Sequence, residues 1–451
     1  MASTYLQRTV GTPTNAQKYT YSFWIKRCEL TDGSKEAFLL DGYADASNRA
    51  KIAFNSNNLF EIWNSNAGSF TFQLSPPRKI RDTNAWYHIV LSVDTTQSTA
   101  SDRVKLYING VQETNLGSTT YPPQNDANNT INESGTTFSI MAYGGIPSSD
   151  SFRLSSIMSH VHFTDGTAYD ASTFGETDAT TGIWKPKTEP SVTYGNNGFF
   201  LKFENSGSMG LDSSGNGNNF TVNGNLTQTV DTPSNVFATW NPLDNYYFQG
   251  VFANGNTTAT TGPSQYTWCT STLGVSSGKW YWEVEYDAKS GGSDVAYIGI
   301  TPSTSTSTTA QLSFSNNQYY YYSSGSGEGV TMGDSYTTGD IIGIALDLDN
   351  NKIYFSKNGT FQNSGDPTSG ATGTGAISIT DPASTTSGNY FATVADGSST
   401  YNATFKTNFG NGYFGTTAVS SAGSNGNGAI FEYDVPTGYY ALNTKNINTY
   451  G

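Results

Sequence analysis

Alternation with a period of two runs through the strongly patterned segments of this chain, and it limits the fold to sheets. Tyr19, Tyr21, Phe23 and Ile25 alternate with Thr20, Ser22 and Lys26, with Trp24 on the second face. Successive side chains of a strand point to opposite faces, so this is the pattern of a half-buried strand. It returns as Val104, Leu106 and Ile108 before Asn109-Gly110, a dipeptide suited to a tight hairpin because both residues tolerate positive φ. Trp280, Trp282, Val284 and Tyr286 alternate with Lys279, Tyr281, Glu283 and Glu285, and Ile341–Leu348 and Lys352–Phe355 flank the turn residues Asp349-Asn350-Asn351. Helical periodicity is nearly absent. One turn is expected at Asp170-Ala171-Ser172-Thr173-Phe174-Gly175, with Asp170 as cap and Gly175 as stop. Many short strands between Gly- and Asn-rich turns predict an all-β chain built of sandwiches.

A chain of 451 residues exceeds what one hydrophobic core usually serves, so two domains are expected. The boundary falls where apolar residues thin out, in Asn205-Ser206-Gly207-Ser208 and Asp212-Ser213-Ser214-Gly215-Asn216-Gly217-Asn218, with a short strand Phe220-Thr221-Val222 interrupting it. This predicts a first domain at 1–205, a Gly/Asn/Ser-rich connector at 206–240 and a second domain at 241–451. Aromatics at 14% recur throughout, which excludes disorder despite a charged fraction of only 13%. The net charge of −14 and the lack of any basic run exclude nucleic acid and an anionic membrane surface as partners. No stretch approaches the length of an apolar span, so membrane insertion is not expected. Met1-Ala2-Ser3-Thr4 lacks the basic and apolar regions of a leader, which predicts synthesis and folding in a cytosol. Cys28 and Cys269, one in each expected domain, read as reduced thiols.

Three sets of residues resemble known families. Tyr21-Ser22-Phe23-Trp24-Ile25-Lys26, Trp86-Tyr87-His88-Ile89-Val90-Leu91-Ser92-Val93-Asp94 and Val104-Lys105-Leu106-Tyr107-Ile108-Asn109-Gly110 resemble laminin-G-like and pentraxin-like members of the concanavalin-A-like jelly rolls. Gly278-Lys279-Trp280-Tyr281-Trp282-Glu283-Val284-Glu285-Tyr286, Tyr297-Ile298-Gly299-Ile300, Gly339–Asp347, Lys352–Gly359 and Asn408-Phe409-Gly410 resemble, in order, a SPRY domain. Together these imply two concanavalin-like jelly-roll β-sandwiches in series. The stretches Asp231–Asp244 and Val435–Ile447 resemble segments of tailed-bacteriophage structural proteins. That resemblance implies a virion-surface protein of the tail-fibre type, made in the host cytoplasm. It would attach to a host glycan or surface protein, contact other virion proteins and form a homo-oligomer, a trimer being favoured. A capsid-decoration or head-fibre protein is the alternative, and a polysaccharide depolymerase a further one.

The sequence offers little catalytic chemistry. Concanavalin-like glycosidases often carry Glu-x-Asp-x-x-Glu, which aims two carboxylates at one cleft about 5–5.5 Å apart. The nearest match, Glu176-Thr177-Asp178-Ala179-Thr180-Thr181, ends in Thr, and Glu283, Glu285 and Asp287 share a strand face expected to be solvated or to meet a partner. His88, His160 and His162 sit beside no nucleophile motif. His160 and His162, two apart, are read as polar residues on an outer face opposite Ile157, Val161 and Phe163, and Asp212–Asn218 as an Asn/Gly turn lacking EF-hand spacing. The expectation is therefore no enzyme, no cofactor and no metal. For ligand binding, Tyr319, Tyr320, Tyr321 and Tyr322 are the candidates, because a strand with four consecutive rings must present two on its second face, where sugar C–H groups stack.

Overall fold

The structure, a computed structural model, describes residues 4–31, 33, 35–143, 155–244, 250–262, 267–291, 296–303, 312–398 and 400–451. It is all-β and divides into two compact units, 1–228 and 229–451.

The first unit is a sandwich of two antiparallel sheets. One has eight strands, in the order Ser118–Thr120, Ser69–Ser75, Phe60–Asn66, Arg49–Phe54, Ala37–Tyr43, Thr137–Ile140, Tyr5–Thr9 and Thr221–Asn223. The other has six: Phe199–Leu201, Ser156–Asp165, Lys18–Arg27, Trp86–Asp94, Val104–Ile108 and Val111–Gln112. The inward residues of the opening pattern, Tyr19, Tyr21, Phe23 and Ile25, meet Ile52, Ile62, Leu74 and Phe138 in one core. Asn109 and Gly110 take φ of 50° and 81° and close the expected hairpin. Asp170 caps the single helical turn Ala171–Phe174, its carboxylate accepting from the Thr173 N–H.

The Lys18–Arg27 strand is buried on both faces, not half-buried. Residues after Asp165 fold back over the second face, where Phe174, Trp184, Tyr194 and Phe200 meet the histidines, and Trp24 stacks on His88.

The expected connector at 206–240 is divided between the units. Thr221 pairs with Gln7 at the edge of the large sheet, and Phe220 packs 4.8 Å from Phe199, so 206–228 belongs to the first unit. Hydrogen bonds of polar side chains supply the order that an apolar count would miss: the Asp212 carboxylate accepts from the N–H groups of Phe200, Ser214 and Asn218.

In the second unit, Lys279–Lys289 lies in a nine-stranded sheet between Ala403–Asn408 and Ile341–Asp347. The facing sheet runs Thr267–Val275, Tyr390–Asp396, Ala296–Thr301, Tyr319–Tyr322. Trp280, Trp282, Val284 and Tyr286 fill the space between them with Ile298, Ile344 and Phe405. The unit's two ends are stitched together: Ala238 N–H donates to Leu442 O at 2.9 Å, and Thr444 N–H to Val236 O at 2.9 Å. Val236 N–H also donates to Thr444 Oγ1. Phe237, Ala238 and Trp240 are buried there, so the stretches 231–244 and 435–447 form one clasp. A second helix, Thr444–Tyr450, follows the Asn443 cap. Seven residues are too few to show a helical period, so this helix carries no periodic signal in the sequence.

Candidate functional site

The four tyrosines expected to carry ligand are largely interior. Tyr319, Tyr320 and Tyr321 are buried and Tyr322 is half-buried. Tyr319 and Tyr321 enter the sandwich core, as the alternation requires. Tyr320 and Tyr322 lie on the second face, but that face is covered: Leu312 and Phe314 pack with Trp268, Tyr297 and Tyr320 in a separate apolar cluster. Tyr297 stands 4.8 Å from Tyr320 and 4.7 Å from Tyr322, and the Tyr320 hydroxyl donates to Glu328. The premise that the second face of a sandwich strand meets solvent fails here because the segment before the strand folds back over it.

The same mechanism corrects the reading of Glu283, while Glu285 and Asp287 on the same face stay partly exposed. Glu283 is fully buried, under Phe431, Glu432 and Tyr433. Its carboxylate accepts from the N–H groups of Glu432 and Tyr433 at 2.9 Å each, from the Tyr281 hydroxyl at 3.1 Å and from Asn408 Nδ2 at 3.3 Å. Burial pushes its pKa up to about 7 against the pull of these donors. Glu285 and Asp287 are half-buried beside Lys406. Glu176 and Asp178 lie on a surface hairpin and share Lys185, and hydrogen bonds from Lys185, Thr181 and Thr180 hold the Asp178 carboxyl below the usual range. None of these carboxylates faces another across a cleft.

His160 and His162 do not share an outer face. A bulge at Ser159–His162 puts His160 in left-handed backbone (φ 48°), and His162 is buried against Phe200 at 3.9 Å. His88 sits 2.8 Å from Ser22 Oγ, a contact that proximity alone would read as a nucleophile and its base. Trp184 Nε1 settles the direction of that bond. Indole only donates, so at 3.0 Å it makes His88 Nδ1 the acceptor, and Nε2–H then donates to Ser22. An imidazole in that tautomer cannot take the serine proton, and burial holds its pKa down to about 3.

The residues best placed to meet a ligand lie on the outward face of the eight-stranded sheet, away from the tyrosines that strand alternation suggests. Strand register aligns Thr120, Gln73, Trp63, Lys51, Asp41, Ser139, Gln7 and Thr221 in one row across it. The middle of the row is closed. Asp41 and Ser139 are buried, Arg49 reaching Asp41 at 3.3 Å and Gln7 reaching Ser139. Its open end is Trp63, Gln73 and Thr120, with Phe70 tilted against Trp63 at 5.4 Å and 52% exposed. Arg49 and Lys51 each lie 5.2 Å from the Trp63 ring, holding the indole by cation–π attraction. Lys51 Nζ bonds Glu36 at 2.9 Å and Glu61 at 3.3 Å. Two carboxylates thus do approach each other, but an ammonium occupies the place that an attacking water or a glycosidic oxygen would need. The signal was available as Arg49-x-Lys51 and Glu61-x-Trp63, charged and aromatic residues sharing the polar phase of the alternation.

This chain therefore consists of two β-sandwich units, with an open aromatic platform in the first. Residues 2–139 match the concanavalin A-like lectin/glucanases superfamily and residues 279–380 match the SPRY domain, so the chain contains one domain of each kind. Among solved structures, the SPRY domain of human HERC1 is similar at 18% identity over 37% of this chain and 96% of that one, with a TM-score of 0.29. The heptameric SAP-like pentraxin from Limulus polyphemus is similar at 16% identity over 44% and 88%, TM-score 0.29. A putative carbohydrate binding protein from Bacteroides ovatus is similar at 14% identity over 50% and 59%, TM-score 0.27. No curated protein matches.

Proposed function

We propose that this protein binds glycan without hydrolysing it, and that it does so on the surface of a tailed-phage virion as a host-attachment protein of the tail-fibre type. The observation that carries the binding reading is the Trp63–Phe70 platform. Two rings stand partly exposed beside Gln73 and Thr120, which can hydrogen-bond sugar hydroxyls while ring faces meet sugar C–H groups. The virion setting is supported by the resemblance of 231–244 and 435–447 to phage structural proteins, and both stretches act here as the clasp of the second unit. Assembly as a homo-oligomer, a trimer being favoured, would let weak sites act together on a host surface. The absence of hydrolysis is supported by Lys51 standing between Glu36 and Glu61.

The test is a glycan array probed with the full chain and with Trp63→Ala and Phe70→Ala. Loss of an anchoring ring should weaken binding by about 1–3 kcal/mol without loss of fold. Equal binding by both variants would remove the platform from the reading, and a blank array would remove glycan. Release of reducing ends from host capsule, abolished by Glu61→Gln, would make the protein a depolymerase. Immunolabelling on the capsid lattice instead of the tail would replace attachment by decoration.

A further inference from the structure

We infer a second binding site in the first unit, for a neutral sugar residue. It is a surface hollow between the 192–196 loop and the 214–216 turn, and it goes beyond the platform at Trp63. The hollow has a volume of about 630 Å³ and is lined by Val192, Thr193, Tyr194, Gly195, Asn196, Ser214 and Asn216. It is open to solvent over most of its extent, so a ligand would rest one face against it and not be enclosed. A smaller cavity, of about 20 Å³ lined by Tyr19 and Asn129 among others, has room for about one water and is excluded as a ligand site.

The walls are built rigidly. Asn216 Nδ2 donates to Gly195 O at 2.6 Å and to Gly198 O at 2.9 Å. Asn218 Nδ2 donates to Asn196 O and Gly198 O at 2.8 Å each. The Asp212 carboxylate holds the turn from below, and Arg8 ties both walls, donating to Asn197 O and Asn218 Oδ1. Gly195 has φ of 68°, and a Cβ there would lie 1.9 Å from Asp165 O, so the loop can take this path only with glycine. A loop ordered before the ligand arrives loses little entropy on binding.

The chemistry of the lining selects the ligand. The two carbonyl partners of Asn216 identify its NH₂ end, which leaves Oδ1 as an acceptor with no hydrogen bond among the described residues. Asn196 and Thr193 are likewise exposed, the Thr193 hydroxyl making no bond among the described residues, and Tyr194 adds a half-buried ring, one face of which stacks on His162 while its hydroxyl bonds His162 Nδ1 at 3.0 Å. Amide, hydroxyl and one aromatic face suit a polyhydroxylated ring. No ionisable Lys, Arg, Asp, Glu or His lines the hollow, so nothing there neutralises a phosphate, a uronate or a sialate.

The experiment is saturation-transfer-difference NMR of the full chain with methyl glycosides of glucose, galactose, mannose and N-acetylglucosamine, and with glucuronate and sialic acid. Three proteins are compared: wild type, Thr193→Trp and Trp63→Ala. Thr193→Trp fills the hollow from an exposed position that makes no side-chain bond, and Tm reports that its fold is kept. At least one neutral glycoside should give a signal that survives Trp63→Ala and is lost in Thr193→Trp. A signal lost in Trp63→Ala and kept in Thr193→Trp would overturn the second site and leave the platform standing. Saturation of the acidic sugars through the hollow would overturn its neutral selectivity, and no signal from any sugar would overturn both sites.

Discussion

The two units should respond to pH in opposite directions, because burial has displaced their titratable groups oppositely. In the first unit burial lowers the pKa of His88 from 6.5 to about 3 and that of His162 well below 6.5. Unfolding in acid gives each imidazole a proton that the folded state refuses. Their contribution is therefore complete above pH 6.5 and is lost as pH falls toward the folded value. At pH 5 His88 costs roughly 2 kcal/mol relative to pH 7, at about 1.4 kcal/mol per tenfold change in proton affinity, and His162 adds to the loss in the same direction. In the second unit Glu283 has its pKa raised from 4.5 to about 7, again chiefly by burial. Here the folded state holds the proton more tightly, so stability is complete below pH 4.5 and is lost as pH rises through 7. The loss comes to roughly 3 kcal/mol. For units of this size about 1 kcal/mol moves Tm by about 2–4 °C, so His88 alone shifts the first transition by about 4–8 °C and Glu283 the second by about 6–12 °C. Scanning calorimetry of the full chain from pH 5 to pH 8 should show one transition rising and one falling. Glu283→Gln should flatten the falling one, leaving a residual slope from Glu285 and Asp396, whose pKa values burial also raises. The reasoning fails if both transitions move together, or if Glu283→Gln leaves the falling slope unchanged.

Tyr321→Ala should cost about 3–5 kcal/mol by chemical denaturation, as for other large buried rings, while Tyr322→Ala, at a half-buried position, should cost much less; equal losses would contradict the packing. Cys28 and Cys269, 1% and 0% exposed, should resist a thiol reagent in the native protein and react together on unfolding, and rapid labelling of either in native buffer would refute their burial. Gly195→Ala should lower the first transition by several degrees, because φ of 68° and the approach to Asp165 O both exclude a Cβ; an unchanged Tm would show the 192–196 loop to be pliable.

What sequence alone determined about this protein is what local periodicity and turn chemistry control. Alternation assigned Tyr19–Ile25 and Trp280–Tyr286 to sandwich cores, Asn109-Gly110 to a hairpin and Asp170 to a helix cap, because each depends on residues within a few positions of one another. Tertiary structure decided which second faces are covered, and this undid the reading of Tyr320, Glu283 and His162. A strand's polar phase shows that some residue must satisfy those groups, but not whether water or a returning segment does so. Glu283 is buried because the backbone N–H groups of Glu432 and Tyr433, about 150 positions away, replace water around its carboxylate. Register was equally out of reach. Trp63, Gln73 and Thr120 become neighbours only when three strands align, and Asn216 meets Gly195 only when two loops fold onto each other. The candidate sites are thus made of pairings across the chain, while the core they stand on is made of patterns within it.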